Sequence, residues 1–137
     1  MRLHDRFVRG SSLRIRRVAS PEGREILTKI GHKRIDPDAP LDPRRRLLTT
    51  IYLEPGEADG LAALAGPGSV KRRYTYDEQG WTWAIDVWEE PAARAGLVLA
   101  EVECDSDAEL DVIRMPAWAI REVTQDPSFS AFELSRC

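Results

Sequence analysis

Apolar and charged side chains alternate in short runs along this chain, and turn residues separate the runs. In Ser12-Leu13-Arg14-Ile15-Arg16-Arg17-Val18, Leu13 and Ile15 interleave with Arg14 and Arg16, the period-two signature of a strand with two unlike faces. Pro21-Glu22-Gly23 reads as a turn. Residues 24–30 then set Ile26, Thr28 and Ile30 against Glu25, Leu27 and Lys29. Residues 31–45 carry Pro37, Pro40 and Pro43 and predict a loop. Residues 46–53 are strand-like and partly β-branched. Pro55 suits the first position of a short helix, with Ala58, Leu61, Ala62 and Ala65 on one weakly apolar face and Gly66-Pro67-Gly68 ending it.

A strand over residues 69–76, a hairpin at Asp77-Glu78-Gln79-Gly80 and a strand over 81–88 follow. Residues 97–104 give a further strand. Ser106-Asp107-Ala108-Glu109 is a capping box that opens a helix through Leu110 and Ile113. From Pro116 a short helix mixes with extended chain. About six strands joined mostly by short turns predict a mainly β (α+β) fold, an antiparallel sheet or barrel, in a single domain over residues 1–137.

Composition narrows the class without changing this picture. With 42% hydrophobic and 31% charged residues the chain is globular rather than disordered. No apolar run approaches the roughly 20 residues that cross a bilayer, so no membrane partner is expected. The charged start, Met1-Arg2-Leu3-His4-Asp5, lacks the apolar core of a secretory signal. Cys104 and Cys137 make no disulfide framework, which predicts a reduced, cytoplasmic setting, with Cys104 buried on an apolar face. His4 and His32 have no partners at metal-ligand spacing and read as surface residues.

Charge changes the picture more. The net charge of −3 hides 16 basic against 9 acidic residues in 1–73, and 4 against 14 in 74–137. Surface salt bridges are the bland explanation. The sharper one is an anion held by the basic half, with a cation held by the acidic half.

The strand faces favour the sharper one. Arg14 and Arg16 share a face, as do Lys71 and Arg73, and as do Glu101 and Glu103; Asp86 lies with Thr82, Ala84 and Trp88, away from Trp83, Ile85 and Val87. An exposed antiparallel sheet also alternates polar and apolar positions, but a solvated surface usually mixes its charges. A closed barrel would instead enclose the charged face, and its apolar faces would pack outward against the helices from Pro55 and Ser106. Such an interior needs water, ions or a ligand, because unpaired buried charge is costly. Arg14, Arg16, Lys71 and Arg73 would contact phosphate oxygens. Glu101 and Glu103 suit a hard cation, Mg²⁺ or Mn²⁺. Trp81, Trp83, Trp88 and Trp118 read as packing rather than base stacking. The Arg44-Arg45-Arg46 run reads as a loop at the tunnel mouth, with no nucleic acid expected.

Gly80-Trp81-Thr82-Trp83-Ala84-Ile85-Asp86-Val87-Trp88, followed by Gly96-Leu97-Val98-Leu99-Ala100-Glu101-Val102-Glu103, resembles the signature of CYTH domains, the triphosphate tunnel metalloenzymes. That family includes class IV adenylate cyclases, thiamine triphosphatases and inorganic triphosphatases. Leu13-Arg14-Ile15-Arg16, Val70-Lys71-Arg72-Arg73-Tyr74 and Pro116-Ala117-Trp118 with Glu122-Val123-Thr124 extend the similarity in consistent order.

The resemblance implies a β-tunnel with helices outside, in which Arg14, Arg16, Lys29, Arg46, Lys71 and Arg73 contact phosphate. It also implies Lys29 and Lys71 as catalytic lysines, and Glu101, Glu103 and Asp86 as candidates for metal. The implied partner is a triphosphate-containing small molecule or inorganic polyphosphate, and the implied reaction is metal-dependent hydrolysis of a phosphoanhydride. Alternatives are a catalytically degenerate polyphosphate or nucleotide binding module and, less favoured, an adenylate cyclase.

Departures from the pattern sharpen the choice. The family's opening E-x-E-x-K strand is not found, and the resemblance begins at the second strand. Leu48 and Thr50 follow Arg46 where acids are usual, Ala84 replaces a tunnel acid, and Ala131 stands where Asn is common. A tunnel lacking its first strand leaves an open edge, which an upstream segment, a ligand or a homodimer would close.

Overall fold

The computed structural model describes residues 1–136; Cys137 lies outside the described residues. The described residues form seven strands: β1 (Arg2–Val8), β2 (Leu13–Ala19), β3 (Glu25–Ile35), β4 (Arg46–Leu53), β5 (Ala65–Glu78), β6 (Trp81–Glu90) and β7 (Val98–Glu101). They make one sheet in the order β4-β3-β2-β1-β5-β6-β7, and every neighbouring pair is antiparallel. The sheet curls into a half-barrel whose free edges are β4 and β7.

Two of the tight turns show how the sequence sets the connections. Gln79 and Gly80 both have positive φ, 52° and 82°, and join Glu78 to its partner Trp81 as a two-residue hairpin loop. Gly66-Pro67-Gly68, read from sequence as the end of a helix, instead lies within β5. A side chain at Gly68 would sit 2.7 Å from the Asp5 carbonyl oxygen, so glycine there lets β5 lie close against β1.

Other elements depart from the sequence reading in instructive ways. Residues 2–8 form a seventh strand at the centre of the sheet, paired on both sides. The sequence reading places no strand ahead of Leu13, whereas the charged opening residues form one. β3 continues to Ile35 through residues expected to be loop, because pairing with β4 holds them extended. β7 stops at Glu101, three residues short of the expected end.

The helices are short: α1 (Glu57–Gly60), α2 (Asp107–Val112) and α3 (Ala131–Leu134). None is long and apolar enough to cross a membrane among the described residues. On the convex face, Ala58 of α1 is buried and Asp59 pairs with Arg17 of β2. Ser106 Oγ caps α2 by accepting from the Glu109 amide, as the capping box requires. α2 nevertheless buries none of its residues. At ~9 Å for six residues it is too short to cover the sheet, and Ile26, Leu47 and Ile51 stay exposed. The convex side of β5 and β6 is covered in part by Trp118, whose ring meets Trp83 and Tyr76 edge-on at 5.5 and 6.0 Å. Cys104 is half-buried rather than enclosed.

Two ion pairs cross the open side of the curl. Arg45 reaches Asp107 at 3.5 Å and Arg44 reaches Asp111 at 3.9 Å, linking the loop before β4 to the helix after β7. Arg45 also bonds Asp36 at 3.1 Å. The two edges of the sheet therefore converge on one another.

Leu3, on the concave side of β1, is 2% exposed and lies across from Val18 and Lys71. Leu3→Ala is expected to cost about 2–5 kcal/mol in urea denaturation, the cost of a core cavity. Ile120→Ala, at a fully exposed position, should stay within about 0.5 kcal/mol.

Candidate functional site

Period-two geometry puts the odd residues of β1 and β5 on the concave face with the even residues of β2, β4 and β6. Strand register then fixes who meets whom. Arg16 stands across from Asp5 on one side and Lys29 on the other, and Arg14 is flanked by Gly31. Lys71 pairs with Trp88, and Arg73 with Asp86. Glu101 follows across from Ala84.

The result is a set of interleaved basic and acidic side chains spread over six strands. Arg16 grips Asp5 with two bonds, Nε–Oδ1 at 2.6 Å and Nη2–Oδ2 at 2.7 Å. Arg14 and Lys71 approach the same carboxylate at 3.8 and 3.9 Å. Lys71 Nζ donates to Asp86 at 2.7 Å, and Arg73 holds Asp86 by two bonds at 2.6 and 2.8 Å. Arg73 also lies 3.6 Å from Glu101. Lys71 Nζ sits 5.1 Å from the centre of the Trp88 ring. The Arg14 guanidinium lies over Gly31, where a Cβ would be 3.9 Å from Nη2.

Burial sets how strongly these charges act. Asp5, Lys71, Asp86 and Arg16 are all almost fully buried. Burial alone would raise the Asp5 pKa, but the Arg16 hydrogen bonds and the charges of Arg16, Arg14 and Lys71 outweigh it and hold the carboxyl below its usual range. Asp86 is likewise lowered against its burial by Arg73 and Lys71, and its hydrogen bonds raise Arg73 in turn. Burial depresses the Arg14 pKa, with Asp5 opposing. Lys29 is lowered by burial and by the nearby Arg16, Arg14 and Arg73 charges, with Glu103 opposing. That Lys29 on β3 senses Glu103, beyond β7, reflects the curl of the sheet.

Five of the six cations read from sequence (Arg14, Arg16, Lys29, Lys71 and Arg73) share the concave face. Arg46 is turned to its own loop, donating to the Asp42 and Arg45 carbonyls at 2.7 Å. Asp86 lies within this set with both oxygens bonded to cations. Glu101 and Glu103 are exposed near the open side. Asp5 went unrecognised in the sequence. Its only signal was a place on one face with Leu3 and Phe7, alternating with His4 and Arg6, in a segment whose charged residues concealed a strand.

For a divalent cation, Asp5 and Asp86 are poor donors, since both oxygens of each are already engaged. Glu101 and Glu103 are less engaged, Glu101 approaching only Arg73 at 3.6 Å, but β7 ends at Glu101 and Glu103 lies beyond it, so the shared strand face expected for the two is not formed. Mg²⁺ commonly takes one or two protein carboxylates and completes its shell with phosphate and water. No cluster of three or more potential ligand side chains occurs among the described residues.

The fold and site define a curled antiparallel sheet whose concave face carries a dense, partly buried set of cations. One stretch of the chain is similar to an inorganic triphosphatase of Acetivibrio thermocellus, with 42% identity over 60 residues. That match spans 43% of this chain and 35% of the relative. No family model matches the chain, and no solved structure matches it.

The lowered carboxyls make a pH prediction with a definite sign. A depressed folded-state pKa contributes stability that is present above the unfolded value, about 3.9 for Asp, and is lost as pH falls through the folded value. For Asp5 and Asp86 this stability should be intact at pH 5–7 and decline below about pH 4. Asp5→Asn leaves Arg16 buried without its counter-charge. It should cost about 3–5 kcal/mol at pH 7 and flatten the loss below pH 4, as read by thermal melting at each pH.

Proposed function

We propose that the concave face binds the phosphate chain of a tripolyphosphate or an organic triphosphate, and that the chain supports hydrolysis of a phosphoanhydride with Mg²⁺ or Mn²⁺. The observation that carries this reading is an imbalance of charge. Five cations share the face, yet its two buried carboxylates are held by Arg16, Lys71 and Arg73. Arg14 has only a 3.8 Å approach to Asp5, with a buried Nε that lacks a hydrogen-bond partner. Lys29 has no carboxylate within 4.0 Å among the described residues, and its Nζ lies 5.9 Å from the centre of the Tyr52 ring. A polyanion would supply the missing negative charge. The partial similarity to an inorganic triphosphatase and the resemblance to CYTH motifs support the same class of ligand.

In this reading Arg14 and Lys29 take the phosphate oxygens first, because the remaining cations are already paired. Arg16, Lys71 and Arg73 are held in place by Asp5 and Asp86, so they present charge without reorganising. Fixed charge of this kind stabilises a transferring phosphoryl group. A divalent cation bound at Glu101 and Glu103 would add charge neutralisation at the phosphate and lower the pKa of an attacking water. Lys29, with its pKa lowered, is also suited to holding or releasing a proton beside the bound phosphate.

One observation favours a second reading, a binding module without turnover. The two buried acids of the face are bonded to cations rather than free for metal.

Calorimetry with tripolyphosphate, with and without Mg²⁺ or Mn²⁺, and an assay of phosphate release separate the readings. Arg14→Ala and Lys29→Ala should each weaken binding roughly tenfold to a hundredfold, the range for hydrogen bonds to charged groups. Glu103→Ala should abolish phosphate release and preserve binding. Binding without release under any metal condition selects the module. Absence of tripolyphosphate binding overturns both.

A further inference from the structure

The concave face is not charged throughout. On β4 its positions are Leu48, Thr50 and Tyr52, set across from Lys33, Gly31 and Lys29. These carry no charge, and they are open: Leu48 is 58% and Tyr52 67% exposed. The result is an uncharged strip, with a leucine and an aromatic ring, directly beside a dense set of cations.

The strip and the cations share a border. A Cβ at Gly31 would lie 3.9 Å from Arg14 Nη2 and 3.9 Å from Leu48 Cδ1, so guanidinium and leucine flank the same space. Lys29 Nζ lies 5.9 Å from the centre of the Tyr52 ring. An anion held by Arg14 and Lys29 therefore ends beside an exposed aromatic ring and an exposed leucine.

The geometry points to Tyr52 and Leu48 as a platform for a planar ring carried by the ligand, which selects an organic triphosphate with an aromatic group over inorganic tripolyphosphate. This rests on the anion-binding reading above and adds the ligand's other end. A tyrosine face accepts a flat aromatic or heteroaromatic ring by offset stacking. Leu48 widens the platform, and Thr50 between them offers a hydroxyl to a polar edge of the ring. A ligand with no organic group leaves the strip in water.

The test is a double comparison by calorimetry, with ATP and inorganic tripolyphosphate as probes, on the wild type, Tyr52→Ala and Tyr52→Phe. Tyr52 is exposed on an edge strand, so these variants should fold, and tripolyphosphate binding itself reports that they do. Tyr52→Ala should weaken ATP binding roughly tenfold or more, the effect of removing a stacking ring, and change tripolyphosphate binding less than twofold. Tyr52→Phe should keep both. Equal weakening of the two ligands by Tyr52→Ala would show that the ring acts only by supporting Lys29, and would overturn the platform. So would ATP binding that does not respond to the substitution, or wild-type protein that binds tripolyphosphate but not ATP. If tripolyphosphate does not bind either, the anion reading fails and this one falls with it.

Discussion

Two buried carboxylates hold the concave face together. Asp5 and Asp86 lie on β1 and β6, with β5 between them, and the charges they gather come from β2 and β5. Removing a charge from water is expensive, and mutual attraction offsets the cost only with close, multiply bonded geometry. The two bidentate arginine contacts meet that condition. Lys71 then joins the clusters, 2.7 Å from one carboxylate and 3.9 Å from the other. The interior polarity of this sheet is thus built in pairs, and the pairs fix which strands can be neighbours.

That constraint reaches beyond stability. A cation locked by a buried carboxylate has lost its side-chain freedom during folding, so an arriving anion does not have to impose that order. The carboxylates also lower the net positive charge, which reduces repulsion among cations crowded on adjacent strands. What remains uncompensated is concentrated at Arg14 and Lys29, at the border with β4. The structure therefore grades the face, from closely paired charges on β1, β5 and β6 to the less paired cations Arg14 on β2 and Lys29 on β3. The pKa of Lys29, lowered by burial and by three neighbouring arginines, is the electrostatic trace of that gradient.

Much of this was legible in the chain. Alternation gave six of the seven strands and placed Arg14 with Arg16 and Lys71 with Arg73, because a strand's period is fixed by its backbone and needs no tertiary information. Arg46 shows the limit. Parity put it on the right face, but parity does not tell whether a guanidinium turns inward or back to its own loop carbonyls. β1 was missed for a related reason: Arg2, His4 and Arg6 look like a solvated end, and only pairing on both sides makes them a central strand. The Gly66-Pro67-Gly68 segment misled in the opposite sense. Its glycines read locally as a stop, whereas their purpose is close approach to the Asp5 carbonyl, a contact between residues distant in sequence.

The same pairing logic bears on the metal. A carboxylate cannot hold an arginine by both oxygens and remain a ready ligand for a small, hard cation. In this chain Asp5 and Asp86 hold arginines, so of the three acids read as metal candidates only Glu101 and Glu103 are not bound by both oxygens. In the proposed reading, a divalent cation would be held by these two acids and would draw the rest of its shell from water and phosphate. The polyanion would then be held by the cations of the face, with the buried pairs as a rigid wall behind it, and the metal would act on the phosphate already bound there.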